Sequence, residues 1–130
     1  MTEVEFEAYV VELAHAFGWR VAGFRPAQTN KGWRTPVKYD GKGYPDLTMS
    51  HPGDRRHTFP RVVFAELKVG TNKRSPEQLA WAETLSAAES GRASVVAYRL
   101  WHPDDADEIV SLISFGRVTE WNIKQRRHTP

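Results

Sequence analysis

The run Arg61-Val62-Val63-Phe64-Ala65-Glu66-Leu67-Lys68-Val69 decides how the rest of the chain is read. Its first part is apolar on both faces of a strand, as expected for a central strand covered on both sides. Side chains alternate along a strand, so Glu66 and Lys68 share one face with Val62 and Phe64. An apolar strand that turns charged on one face at its end presents those charges at the rim of its sheet. Asp46 follows Tyr44-Pro45, is separated from that Glu66 by a gap of nineteen residues, and opens a shorter strand-like run to Met49. If the two runs pair as a hairpin, the start of one lies beside the end of the other. That brings Asp46 against Glu66 and Lys68.

Two carboxylates at close range repel unless a cation sits between them, which is what a Mg²⁺ site exploits. A lysine on the same face can orient an attacking water or stabilise charge developing on a phosphate. The same residues could instead form a cross-strand salt bridge, Asp46 or Glu66 to Lys68, at a sheet edge.

Outward from this pair, the chain reads as one α/β unit of the order α-β-β-β-α-β-α with a mixed sheet. Thr2 to Phe17 carries Phe6, Val10, Leu13 and Phe17 on one helical stripe, with Thr2 as N-cap and Gly18 as the stop. Glu3 and Glu7 lie along the margin of that stripe, while Glu5 and Glu12 fall on the solvated face. All but Glu12 also suit the positive end of the helix dipole. Trp19 to Phe24 reads as a short strand, and Arg25 to Tyr44, rich in Gly, Pro, Asn and Lys, as a long loop. A turn is expected through His51-Pro52-Gly53-Asp54. Ser75-Pro76-Glu77-Gln78 starts a second helix, with Ser75 as cap and Gln78 either closing a capping box or facing inward with Ala82 and Leu85. Trp81 reads as core. Ala93 to Trp101 is a further strand, and Asp105 to Ile113 a short amphipathic helix.

Composition narrows the function classes. The 130 residues suit one domain with a real core, and 40% hydrophobic content with five tryptophans argues against a disordered chain. The absence of cysteine excludes disulfides, zinc ribbons and thiol catalysis. No apolar stretch approaches a membrane span and the acidic start has no signal-peptide pattern, so a cytoplasmic protein without membrane contact is expected. The net charge of +2 is unevenly spread: Arg20 to Arg61 holds nine Lys/Arg against three Asp, whereas the first twelve residues hold four Glu. Clustered cations of this kind suit a polyanion.

The ordered landmarks Thr2-Glu3-Val4-Glu5-Phe6, Gly18-Trp19, Lys42-Gly43-Tyr44-Pro45-Asp46-Leu47, Phe64-Ala65-Glu66-Leu67-Lys68, Ser75-Pro76-Glu77-Gln78 with Trp81, and Trp101-His102-Pro103 resemble a known family. This is the VRR-NUC branch of the PD-(D/E)xK nuclease superfamily, in its small stand-alone bacterial and phage form. The resemblance covers roughly residues 2 to 113. It implies a restriction-endonuclease-like domain over 1–115 with an αβββαβ core, a central mixed sheet flanked by helices, and a basic tail over 116–130. It further implies hydrolysis of DNA phosphodiesters with Mg²⁺ or Mn²⁺, on branched or partly single-stranded DNA, by a homodimer in some members. By position, Asp46, Glu66 and the Leu67 carbonyl would hold the metal and Lys68 would be the catalytic lysine. Glu3 (or Glu7, where many relatives have Gln) would be the first-helix carboxylate, and Gln78 the polar residue of the second helix. Arg25, Lys31, Arg34, Lys38, Lys42, Arg55, Arg56 and Lys73 would grip nucleic acid, with Trp33 or Tyr39 stacking on an unpaired base. Two other readings compete: a non-catalytic nucleic-acid-binding or assembly module, and a nuclease or nickase on ordinary duplex.

Overall fold

The computed structural model describes residues 1–24, 27–29, 32–34, 37–54, 58–91 and 94–116, and of 27–29 and 32–34 the backbone alone. Helix α1 (Glu3–Ala16) begins in a capping box: the Glu5 amide donates to Thr2 Oγ1 at 3.1 Å and the Thr2 amide to Glu5 Oε2 at 3.4 Å. It ends where Gly18 takes φ +85°, a left-handed conformation that glycine adopts at no steric cost. The strands are β1 (Arg20–Gly23), β2 (Ala27–Thr29), β3 (Gly32–Arg34), β4 (Leu47–His51), β5 (Arg61–Leu67) and β6 (Val96–Trp101). Helix α2 (Pro76–Ala88) links β5 to β6, and α3 (Ala106–Ile113) follows a short 3₁₀ turn at Pro103–Asp105.

Four strands form a mixed sheet in the order β1-β4-β5-β6. β1 and β5 each pair antiparallel with β4, in registers Gly23↔Leu47 and Leu47↔Ala65. β6 pairs parallel with β5, Phe64↔Tyr98 and Leu67↔Trp101, which requires the crossover that α2 supplies. Central β5 is therefore flanked on both edges, as its unbroken apolar run predicted.

One face of the sheet carries the core. Phe6, Val10 and Ala14 of α1 meet Leu47, Met49, Val63, Ala65, Leu67, Ala97 and Trp101, with Ile109 and Ile113 of α3 completing the layer. Trp19 closes its edge, donating its indole N–H to the Ile113 carbonyl at 2.8 Å. His51 joins the same edge, its Nε2 bonded to the Phe17 carbonyl at 3.0 Å and its Nδ1 accepting from the Gly53 amide at 2.9 Å. α2 covers the opposite face and buries only Ala82.

Several boundaries differ from the expectations. The stretch read as one long loop contains the β2–β3 hairpin, paired as a sheet of its own. Three-residue strands are too short to show a period in the sequence. The turn after His51 extends into a bridge between Asp54 and Thr58. β4 begins at Leu47 and β5 stops at Leu67, so Asp46 and Lys68 lie one residue outside their strands. Among the described residues no helix is long and apolar enough to cross a membrane. The tail over 117–130 lies outside the described residues.

Candidate functional site

The β4–β5 register, carried one residue past Leu47↔Ala65, sets Asp46 opposite Glu66. Asp46 is pinned there by Leu67, whose amide donates to Asp46 Oδ2 at 2.8 Å. The bond ties the end of β5 to the residue that precedes β4.

The segment leading into Asp46 is fixed by a small aromatic cluster. Tyr44 contacts Phe24, Trp81 and Phe64 with ring centroids 5.1, 5.0 and 6.3 Å apart. Its hydroxyl bonds Thr48 Oγ1 at 3.0 Å. Gly43, at φ +81°, presses on the start of α2: a Cβ there would lie 2.6 Å from the Glu77 carbonyl carbon and 2.7 Å from the Gln78 nitrogen. Only glycine fits both the dihedral and the contact. The Trp81 indole N–H donates to the Asp40 carbonyl at 2.9 Å, which makes Trp81 a half-buried clamp on this loop, not part of the main core.

Glu66 is 2% exposed. Its Oε2 accepts the Tyr98 hydroxyl at 2.7 Å, and Tyr98 in turn is approached by Arg74 Nη1 at 3.4 Å. Burial, then the hydrogen bond to Glu66 and its negative charge, push the Tyr98 phenol up to about 12. Glu66 Oε1 is buried with no hydrogen-bond partner. A buried polar oxygen left so costs about 1–3 kcal/mol, and more when it is charged.

Lys68 is half-buried, and among the described residues it forms no salt bridge with Asp46 or Glu66. The cross-strand ion pair considered from the sequence is thus not formed. Gln78 closes the α2 capping box, its Oε1 accepting the Ser75 amide at 2.8 Å. Of its two sequence readings, this is the capping one.

Of the two candidate carboxylates on α1, Glu7 lies against Gly23 at this end of the sheet. A Cβ on Gly23 would lie 3.5 Å from Glu7 Oε1 and 4.0 Å from the Asp46 carbonyl oxygen. Glu3 sits one turn earlier, also half-buried. The carboxylates approach from different directions: Asp46 onto the Leu67 amide, Glu66 toward Tyr98, Glu7 over Gly23. Among the described residues, no three Asp, Glu or His side chains gather into a group able to hold a metal ion. A cation here would draw on one or two carboxylates, with main-chain carbonyl and water completing its shell. That is the habit of Mg²⁺, which keeps several waters, more than of Ca²⁺. The all-oxygen donors and the orphaned Glu66 Oε1 fit such an ion.

Beside the site, Tyr39, Asp40, Lys42, Glu77, Trp81 and Thr84 line an open groove. Tyr39 is 100% exposed and holds φ 56°, an uncommon conformation for a bulky residue. Lys42 Nζ lies 3.4 Å from Glu77 Oε1. The Glu77 carboxyl sits below its ordinary range, through a backbone amide at the helix start and then through Lys42. Lys38 and Lys73 are exposed. Arg25, Lys31, Arg55 and Arg56, with the side chains of Trp33 and Arg34, lie outside the described residues.

Sequence reasoning missed Tyr98 and Arg74. Tyr98 is an ordinary strand residue until the parallel register places it beside Glu66, and nothing in its neighbours signals that register. Comparison with protein-family models, with curated proteins and with solved structures found no match.

Proposed function

We propose that this chain is a metal-dependent DNA endonuclease of the restriction-endonuclease-like αβββαβ type, selective for branched or partly unpaired DNA. The observation that carries this reading is Glu66 Oε1, buried and unpartnered at the end of β5, with Asp46 one register step beyond Leu47↔Ala65 at the same end of the sheet.

Asp46, Glu66 and the Leu67 carbonyl would hold Mg²⁺ or Mn²⁺, with Glu3 or Glu7 as the outer carboxylate. Such an ion, when bound, polarises a phosphate oxygen and lowers the pKa of a coordinated water. The Leu67 amide keeps Asp46 in place for this role. Lys68, unpaired with either carboxylate, directs its ammonium at the attacking water or at the charge developing on the phosphate. Lys38, Lys42 and Lys73 grip the sugar-phosphate backbone without reading sequence. Tyr39 offers a ring to an unpaired base, a sequence-tolerant contact that favours open or branched DNA. Gln78 keeps the α2 start in register with Gly43, and so acts on the site through the loop.

The test is purified protein with Mg²⁺ or Mn²⁺ on linear, flapped and four-way DNA, with Asp46→Ala alongside. Cleavage of the open substrates should fall by about 10²- to 10³-fold in Asp46→Ala, with DNA binding retained. Equal cleavage by Asp46→Ala overturns the site. Binding without cleavage of any substrate by the unaltered chain turns the reading into a non-catalytic module. Preferred cleavage of linear duplex turns it into an ordinary nuclease.

A further inference from the structure

Glu66 is held unevenly. One oxygen accepts a short bond from Tyr98, and the other is buried with nothing to meet it. A carboxylate kept only for stability would have both oxygens satisfied, because a half-satisfied buried group is worse than none. Tyr98 is itself well fixed. It is 8% exposed, its amide donates to Glu89 Oε1 at 3.0 Å, and it stands across from Phe64 in the parallel register. A phenol oxygen can accept one hydrogen bond while donating another. Arg74 Nη1, at 3.4 Å, supplies the first and leaves the hydroxyl proton aimed at Glu66. Arg74 immediately precedes Ser75, so the α2 cap fixes where its side chain starts.

We propose that Tyr98 is the positioning residue for Glu66: its hydroxyl fixes Oε2 so that Oε1 is presented to a divalent cation, and Arg74 steadies that hydroxyl. The proposal rests on the reading that Glu66 binds a cation. It adds the line Arg74–Tyr98–Glu66, which runs from the start of α2 across β6 to β5. Neither Arg74 nor Tyr98 touches the cation; both act through Glu66. Removing such an outer partner typically weakens metal affinity by about 10- to 100-fold.

The measurement is Mn²⁺ affinity by calorimetry on the full chain without DNA, for the unaltered protein, Glu66→Ala, Tyr98→Phe and Arg74→Gln, each checked for folding by circular dichroism. Support is Mn²⁺ binding that Glu66→Ala abolishes, that Tyr98→Phe weakens by about 10- to 100-fold, and that Arg74→Gln weakens less in the same direction. Equal affinity in Tyr98→Phe and the unaltered protein overturns the positioning role and leaves the nuclease reading standing. No Mn²⁺ binding by the unaltered protein, or binding indifferent to Glu66→Ala, overturns both together. Should Tyr98→Phe fail to fold, unchanged Mn²⁺ affinity in Arg74→Gln overturns the proposal. With Tyr98→Phe folded and weakened, that same result removes Arg74 from the line.

Discussion

The two faces of the sheet are built to different ends. Against α1 and α3 the residues are apolar and closed: Phe6, Val10, Leu47, Met49, Val63, Trp101, Ile109 and Ile113. Toward α2 the same strands present Thr48, Phe64, Glu66 and Tyr98, and the helix buries only Ala82. Apolar burial on the first face supplies most of the folding free energy, at about 25 cal/mol per Å². That surplus lets the second face keep a buried carboxylate with an unsatisfied oxygen, an arrangement that costs stability. The difference teaches where to look for function: not in the open groove beside α2, but where one face stops being optimised for packing.

Substitutions can break this division. The largest effect is expected at Trp101, fully buried at the end of β6 on the closed face. Trp101→Ala should lower stability by about 3–5 kcal/mol in urea unfolding. Asp46→Ala should lose cleavage with far less loss of stability. An Asp46→Ala protein as unstable as Trp101→Ala would dissolve the distinction between the faces. Gly43→Ala comes next, because it strikes the junction between loop and α2. A left-handed alanine costs about 1–2 kcal/mol, and its Cβ would meet helix backbone that cannot move aside. The expected loss is about 2–3 kcal/mol. Cleavage should fall with it, since Tyr44-Pro45-Asp46 would shift.

Much of this was legible in the sequence, for identifiable reasons. The β5 run named itself as central through continuous apolarity, and alternation put Glu66 and Lys68 on one face. Hairpin pairing with β4 then brought Asp46 across. Capping boxes are local, so Thr2 and Ser75 could be read from four residues each. The choice between Glu3 and Glu7 was not legible, because both border the same stripe. Tyr98 was hidden by the parallel register, which depends on the length of a crossover and on no local residue. The β2–β3 hairpin was hidden because its strands are shorter than one clear period.

A pH series sharpens the contrast from the polar side. The Tyr98 phenol is raised from 10.0 to about 12 by burial and by Glu66. A group whose folded pKa is raised stabilises the fold fully below its unfolded pKa and loses that contribution as pH climbs through the folded value. The loss should therefore fall between pH 10 and about 12. Two pKa units bound it at about 3 kcal/mol. Unfolding followed across this window should show a steeper decline for the unaltered chain than for Tyr98→Phe. Parallel declines would mean that Tyr98 ionises like an exposed tyrosine, and that the pocket around Glu66 is open to water.

The smallest effects make the finest comparison, because the two helices start with the same device. Thr2 and Ser75 each accept the amide three residues on, and Glu5 and Gln78 each return to the cap amide. Thr2→Ala and Ser75→Ala should each cost about 1 kcal/mol. Their consequences should nevertheless differ. α1 is anchored along its whole length by Phe6, Val10 and Ala14, so losing its cap frays a turn and leaves the core intact. α2 has only Ala82 buried, and its first turn is what Gly43 rests on and what Arg74 leads into. Ser75→Ala should therefore lower cleavage by more than its stability loss explains, while Thr2→Ala should change stability alone. Equal activity in the two variants would show that the start of α2 is held by its loop contacts, with its cap dispensable to the site.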